Sequence, residues 1–142
     1  MMISSKGRYA LRVMIDLADH ADEGYIPLQT IAARQGISEK YLESILAVLS
    51  KARLLDAVRG KGGGYRLSRP AKDYTAFEIL SLTEGTLAPV ACLESGQQCE
   101  NAENCRTLPL WQGLDRTIAA YLGSYTLEDL ARMEKPLQHA EL

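Results

Sequence analysis

From Lys6 to about Asp19 the polar residues Arg8, Arg12 and Asp16 recur every four positions. Nearly everything between them is apolar: Tyr9, Ala10, Leu11, Val13, Met14, Ile15 and Leu17. The period is helical and leaves a narrow wet stripe, so it predicts a helix buried on more than one side. Asp22-Glu23-Gly24 breaks the pattern. A short helix is predicted over Leu28 to Gln35, a turn at Gly36, and a second helix from an N-cap at Ser38 to about Ala52. In that second helix Leu42, Ile45, Leu46 and Leu49 form the buried face, and Ser38, Lys40, Glu43, Ser44 and Ala47 point outward.

Two short helices joined at Gly36 read as a helix-turn-helix. Ala32 is small enough for close helix approach, Gly36 tolerates a positive φ, and Ile37, Leu42 and Ile45 lock the second helix onto the first. An ordinary helical hairpin would show the same pattern. The next segment, VRGKGGGYRLSR, separates the two readings. Leu54 to Arg59 and Tyr65 to Ser68 read as strands, with the glycine-rich stretch 60–64 as their turn. A hairpin directly after a recognition helix is a wing. Its glycines let backbone approach a neighbour, and Arg59, Lys61, Arg66 and Arg69 supply attraction to a phosphate-lined groove. A nucleotide phosphate loop fails on detail: no G-x-x-x-x-G-K-S/T occurs, and YRLSRP reads as strand and then proline, not as a helix start. A hairpin without a partner leaves the flanking arginines unexplained.

Charge sharpens this picture. The chain has net charge −2, but residues 1–72 carry 12 Lys/Arg against 7 Asp/Glu, and residues 73–142 carry 4 against 11. The first half is the one suited to a polyanion. With 142 residues, 46% of them hydrophobic, the chain can bury a core. It has no apolar run of membrane-spanning length, and charges interrupt the N-terminal apolar stretch where a signal peptide would not allow them. A cytoplasmic protein with no membrane partner is expected.

The second half has a different character. Thr75 should cap a short helix from Ala76 to Thr83, and Gly85 to Arg106 reads as a long loop. Cys92, Cys99 and Cys105 all lie in it, spaced Cys-x6-Cys-x5-Cys. Structural zinc favours closer knuckles and four ligands. Soft thiolates on a long loop suit an iron–sulfur cluster better. Cys105 should stand at the start of the next helix, where the dipole favours a thiolate, while Glu94, Glu100 and Glu103 oppose it. On spacing alone a cluster, a thiol switch and three free cysteines all remain open. Thr107 to about Leu122 reads as a helix with Pro109 in its first turn and a broad apolar face of Leu110, Trp111, Leu114, Ile118, Tyr121 and Leu122. Thr126 should cap a final helix. The apolar face and the over-apolar first helix point to a dimer, with plain intramolecular packing as the alternative.

The order SSKGRYALRVMIDLA, IAARQGISEKYLESIL, LLDAVRGKGGGYRLSR, then three loop cysteines before LW on a long helix, closely resembles a family of bacterial transcription regulators. That family includes the iron–sulfur regulator IscR, the nitric-oxide sensor NsrR and the cysteine-metabolism regulator CymR; the resemblance runs from Met1 to about Met133. It implies a mainly α fold with a small β-hairpin wing: a winged helix-turn-helix over 1–73, a short helix and cysteine-bearing sensor loop over 74–106, and a dimerisation helix, final helix and tail over 107–142. It implies a homodimer on palindromic double-stranded DNA. Ser38, Lys40, Tyr41 and Glu43 would meet the major groove, Arg59 and Lys61 the minor groove, and Lys6 a phosphate. Cys92, Cys99 and Cys105 would hold a [2Fe–2S] or [4Fe–4S] cluster that alters DNA binding. One departure stands out. A family histidine three residues after the last cysteine is Leu108 here, and a family aspartate lies near the position of Arg8. The fourth ligand is therefore unassigned. The same-family alternative is a regulator without a cluster, controlled by cysteine oxidation or a protein partner. No paired carboxylates or nucleophile–histidine set supports an enzyme.

Overall fold

A computed structural model describes residues 3–94 and 99–134. The tail beyond them, with His139, lies outside the described residues. Helix α1 spans Ser5–Asp19, begun by Ser4, whose hydroxyl oxygen accepts from the Gly7 N–H. Helices α2, Leu28–Gln35, and α3, Glu39–Lys51, follow. Gly36 between them has φ 65° and ψ 35°, the left-handed conformation that reverses the chain. Ser38 caps α3 by accepting from the Tyr41 N–H. Strands β1, Leu55–Val58, and β2, Gly64–Leu67, pair antiparallel, with Leu55 opposite Leu67 and Val58 opposite Gly64. Ile26 adds one bridge to Tyr65 through two hydrogen bonds of 2.9 Å.

Helix α4 spans Ala76–Glu84 and is capped by Thr75. Helix α5 spans Leu108–Gly123, with Pro109 in its first turn. Helix α6, Leu127–Arg132, starts with a capping box between Thr126 and Asp129. The loop between α4 and α5 contains two short 3-10 turns, Ala91–Leu93 and Ala102–Asn104.

The core is one cluster. Ala10, Val13, Met14 and Leu17 of α1 meet Ile31 of α2, Leu42, Ile45, Leu46 and Leu49 of α3, Leu54 and Leu55 at the wing base, and Tyr74, Ile79 and Leu127. Each large aliphatic side chain here contributes about 1.5–3 kcal/mol relative to exposure. The core thus runs past residue 73, and α1 packs against α4 and α6 as well as against α2 and α3. Helix α1 is buried on more than one side, as its pattern predicts. No helix among the described residues is long and apolar enough to cross a membrane.

One sequence expectation is corrected. The four-residue period places Asp16 with Arg8 and Arg12 in the wet stripe, but Asp16 is 5% exposed. A step of four residues advances about 40° beyond a full helical turn. The stripe therefore drifts from solvent at Arg8 to the α2 contact at Asp16. There Arg34 Nη2 and Nε donate to the two carboxylate oxygens at 2.7 and 3.0 Å, and Gln35 Nε2 donates at 2.9 Å. Arg12 donates to the Gln35 side-chain oxygen at 3.1 Å and to its backbone carbonyl at 3.0 Å. This network bolts the end of α2, and so the turn before α3, to α1.

Candidate nucleic-acid interface and cysteine loop

The apolar stripe of α3 is consumed by the core, so its opposite side must face outward. Ser38, Lys40, Glu43, Ser44 and Ala47 are all exposed there. Tyr41 differs. It is half-buried, and its ring meets Tyr9 of α1 edge-on at 5.8 Å between centroids. Part of its surface serves the α1–α3 contact. Lys6 is half-buried in the first turn of α1.

On the wing the four basic residues fall into two pairs. Arg66 lies over the Tyr25 ring at 4.4 Å and pairs with Asp56 at 3.6 Å. Arg69 lies over the Tyr74 ring at 4.2 Å and donates to Glu78 at 2.7 Å. These two arginines hold the wing together and to α4. Arg59 and Lys61 remain exposed at the tip, with no ion pair among the described residues. Of the four basic side chains, these two have no partner within the fold among the described residues.

The glycines divide similarly. Gly60 and Gly62 have φ 92° and 78° in open space, so they serve the turn. A β-carbon on Gly63 would overlap the Val58 carbonyl oxygen, and one on Gly64 would overlap the Ile26 carbonyl oxygen. For those two the close neighbour is the chain's own backbone.

Cys92 and Cys99 line a hollow of about 680 Å³ together with Glu100, Glu103, Leu108 and Gln112. Cys105 is not part of that lining; it stands two residues before the Thr107 cap of α5. All three thiols are free. The Cys105 thiol is pushed below its ordinary pKa, first by the Thr107 hydroxyl 3.4 Å from its sulfur, then by the backbone N–H groups of Thr107 and Leu108. The thiol is thus stabilised as a thiolate by the residues that open α5. Soft thiols, one of them stabilised as a thiolate, fit an iron–sulfur group in chemistry. Their sulfurs do not converge: among the described residues no three His, Cys, Asp or Glu side chains form a metal-binding group. Leu108 lines the hollow with an apolar side chain, and the Arg8 guanidinium donates to the Ser5 hydroxyl at 3.1 Å.

Residues 3–133 match the Rrf2 family, described as iron-dependent transcriptional regulators. The chain belongs to the Rrf2 family. It is 39% identical over 141 residues to the HTH-type transcriptional regulator IscR of Xenorhabdus nematophila, covering 99% of this chain and 85% of that one. Its fold is similar to CymR, the global cysteine regulator of B. subtilis, with TM-score 0.77 and 37% identity over 95% of this chain and 99% of that chain. It is also similar to T. potens IscR, with TM-score 0.72 and 35% identity over 96% and 94% of the two chains. This Rrf2 protein is a DNA-binding transcription regulator with a winged-helix fold, and not an enzyme.

Two features of this regulator escape sequence reading. The Asp16–Arg34 pair joins residues eighteen apart and is signalled only by an acid at the edge of a buried stripe. Tyr74 is fully buried; its hydroxyl donates to the Leu54 carbonyl at 2.7 Å and accepts from the Ser68 and Arg69 N–H groups at 3.1 and 3.0 Å. Nothing in the sequence marks Tyr74 as the anchor of the wing base.

Proposed function

We propose that this regulator acts as a homodimer on palindromic operators, and that an iron–sulfur cluster held by Cys92, Cys99 and Cys105 sets its DNA affinity. The observation that carries the cluster reading is the hollow shared by Cys92 and Cys99, on the same loop as the stabilised Cys105 thiol. A cluster held there would supply iron–sulfur bonds that oxidants or loss of iron can break. The protein's own part is to orient three thiols ahead of α5, and Leu108 leaves one iron position to a ligand outside the family pattern. The loop joins α4 to α5, so its ordering acts on both helices.

The dimer reading rests on α5. None of its residues is buried, and Leu110, Leu114 and Tyr121 are 63, 42 and 61% exposed on one helix. An apolar face of that size calls for a cover, and a second α5 provides one with matching chemistry. Two protomers then present two α3 helices to successive major-groove half-sites. Ser38, Lys40, Tyr41 and Glu43 read bases, Arg59 and Lys61 enter the minor groove, and Lys6 meets a phosphate. The division at 1–73, 74–106 and 107–142 describes these roles, in a protein working in the cytoplasm.

The test is iron and acid-labile sulfide per chain after strictly anaerobic purification. Near-stoichiometric iron and sulfide are expected, lost on Cys→Ala at 92, 99 or 105. A colourless, iron-free protein that still binds DNA would instead support control by thiol oxidation, which the lowered Cys105 pKa favours as a second reading. Arg59→Ala should weaken operator binding by about 1–3 kcal/mol in a fluorescence titration. Binding equal to the parent protein would remove Arg59 from the groove.

A further inference from the structure

Glu84 is the last residue of α4, and the chain leaves for the cysteine loop at Gly85, φ 77°. Its Oε1 accepts from the Ser4 hydroxyl at 2.6 Å and from the Ser4 N–H at 3.2 Å. Ser4 is the cap of α1, and its hydroxyl oxygen accepts from the Gly7 N–H at 3.1 Å. A β-carbon on Gly7 would overlap this same Oε1 and press on Leu80. Gly7 is therefore small because the carboxylate lies over it. Helix α1 has no acid in its own first turn. Glu84 supplies from another helix the negative charge that a helix start favours. Lys6 stands in that turn, between Ser4 and Gly7.

We propose that Glu84 is a positioning residue for DNA binding: it fixes the first turn of α1 and so aims Lys6 at a phosphate. It also ends the helix that leads into the cysteine loop, so a rearrangement of that loop reaches the DNA through the Glu84–Ser4 contact. The proposal rests on the assignment of Lys6 to a phosphate made above.

The experiment titrates an operator duplex, selected from random-sequence DNA by the parent protein, over a range of salt concentrations. Full-length Glu84→Gln, Lys6→Ala and the double variant are compared. Glu84→Gln keeps the side chain's shape and removes its charge. Each single change should weaken binding about three- to tenfold and lower the salt slope by about one, the share of one phosphate. The double variant should bind no worse than Lys6→Ala alone. Gly7→Ala, which displaces the carboxylate without altering any charge, should reproduce the Glu84→Gln result at an unchanged fold by circular dichroism. Additive losses, or a Glu84→Gln slope equal to the parent's, would overturn the proposal, because a merely structural role lowers stability without removing one phosphate from the slope. A parent protein that selects no duplex would instead overturn the operator-binding reading. A parent that binds while Lys6→Ala keeps the full slope would overturn the Lys6 assignment, and this proposal with it.

Discussion

Replacing Arg34 with alanine should lower the free energy of unfolding by about 3–5 kcal/mol in a urea titration, the largest single loss expected outside the aliphatic core. The Asp16 side chain is 3% exposed while that of Arg34 is 30% exposed. Removing the arginine leaves a buried carboxylate with the Gln35 amide, at 2.9 Å, as its main side-chain donor. Asp16→Asn should cost less than Arg34→Ala, because it leaves no uncompensated charge and Arg34 can turn to solvent. Lysine at position 34 should recover only part of the loss, since an ammonium cannot make the two-pronged contact. A loss below about 1 kcal/mol for Arg34→Ala would mean that the pair behaves as an ordinary surface ion pair.

Tyr74→Phe should cost about 2–3 kcal/mol in the same titration and should loosen the wing in particular. The ring still fills its place in the core, so the change isolates the hydroxyl. Without it the Arg69 N–H loses its 3.0 Å partner, and the Leu54 carbonyl and Ser68 N–H fall back on a weak mutual contact of 3.4 Å. Buried polar groups left in that state cost about 1–3 kcal/mol. Amide hydrogen exchange provides the separate readout: Leu55–Val58 and Gly64–Leu67 should lose protection before α1 and α3 do. Uniform loss of protection across all elements would show that Tyr74 supports the core and has no special hold on the wing.

Local chemistry determined much of the site in advance. The α3 stripe, Ser38, Thr75 and Thr126 as caps, Gly36 as the reversal and the glycine-rich hairpin all act over a few residues, and the structure has each of them in that role. Cys105 at the start of α5 is likewise legible, because the N–H groups that stabilise its thiolate belong to the next residues in sequence. Arg66 and Arg69 were not legible. Their spacing resembles that of Arg59 and Lys61, and only the folded positions of Asp56, Tyr25, Tyr74 and Glu78 give them partners.

By itself, then, the sequence determined a winged helix-turn-helix with a cysteine loop and an apolar final long helix, since helical period, caps and turns are properties of neighbouring residues. Tertiary structure alone decided which charges serve the fold and which face outward. Asp16 with Arg34, Tyr74 with the wing base and Glu84 with Ser4 each join residues at least eighteen apart in one network or across it. A long-range hydrogen bond exists only once packing has brought its partners within about 3 Å, and no local pattern encodes that approach.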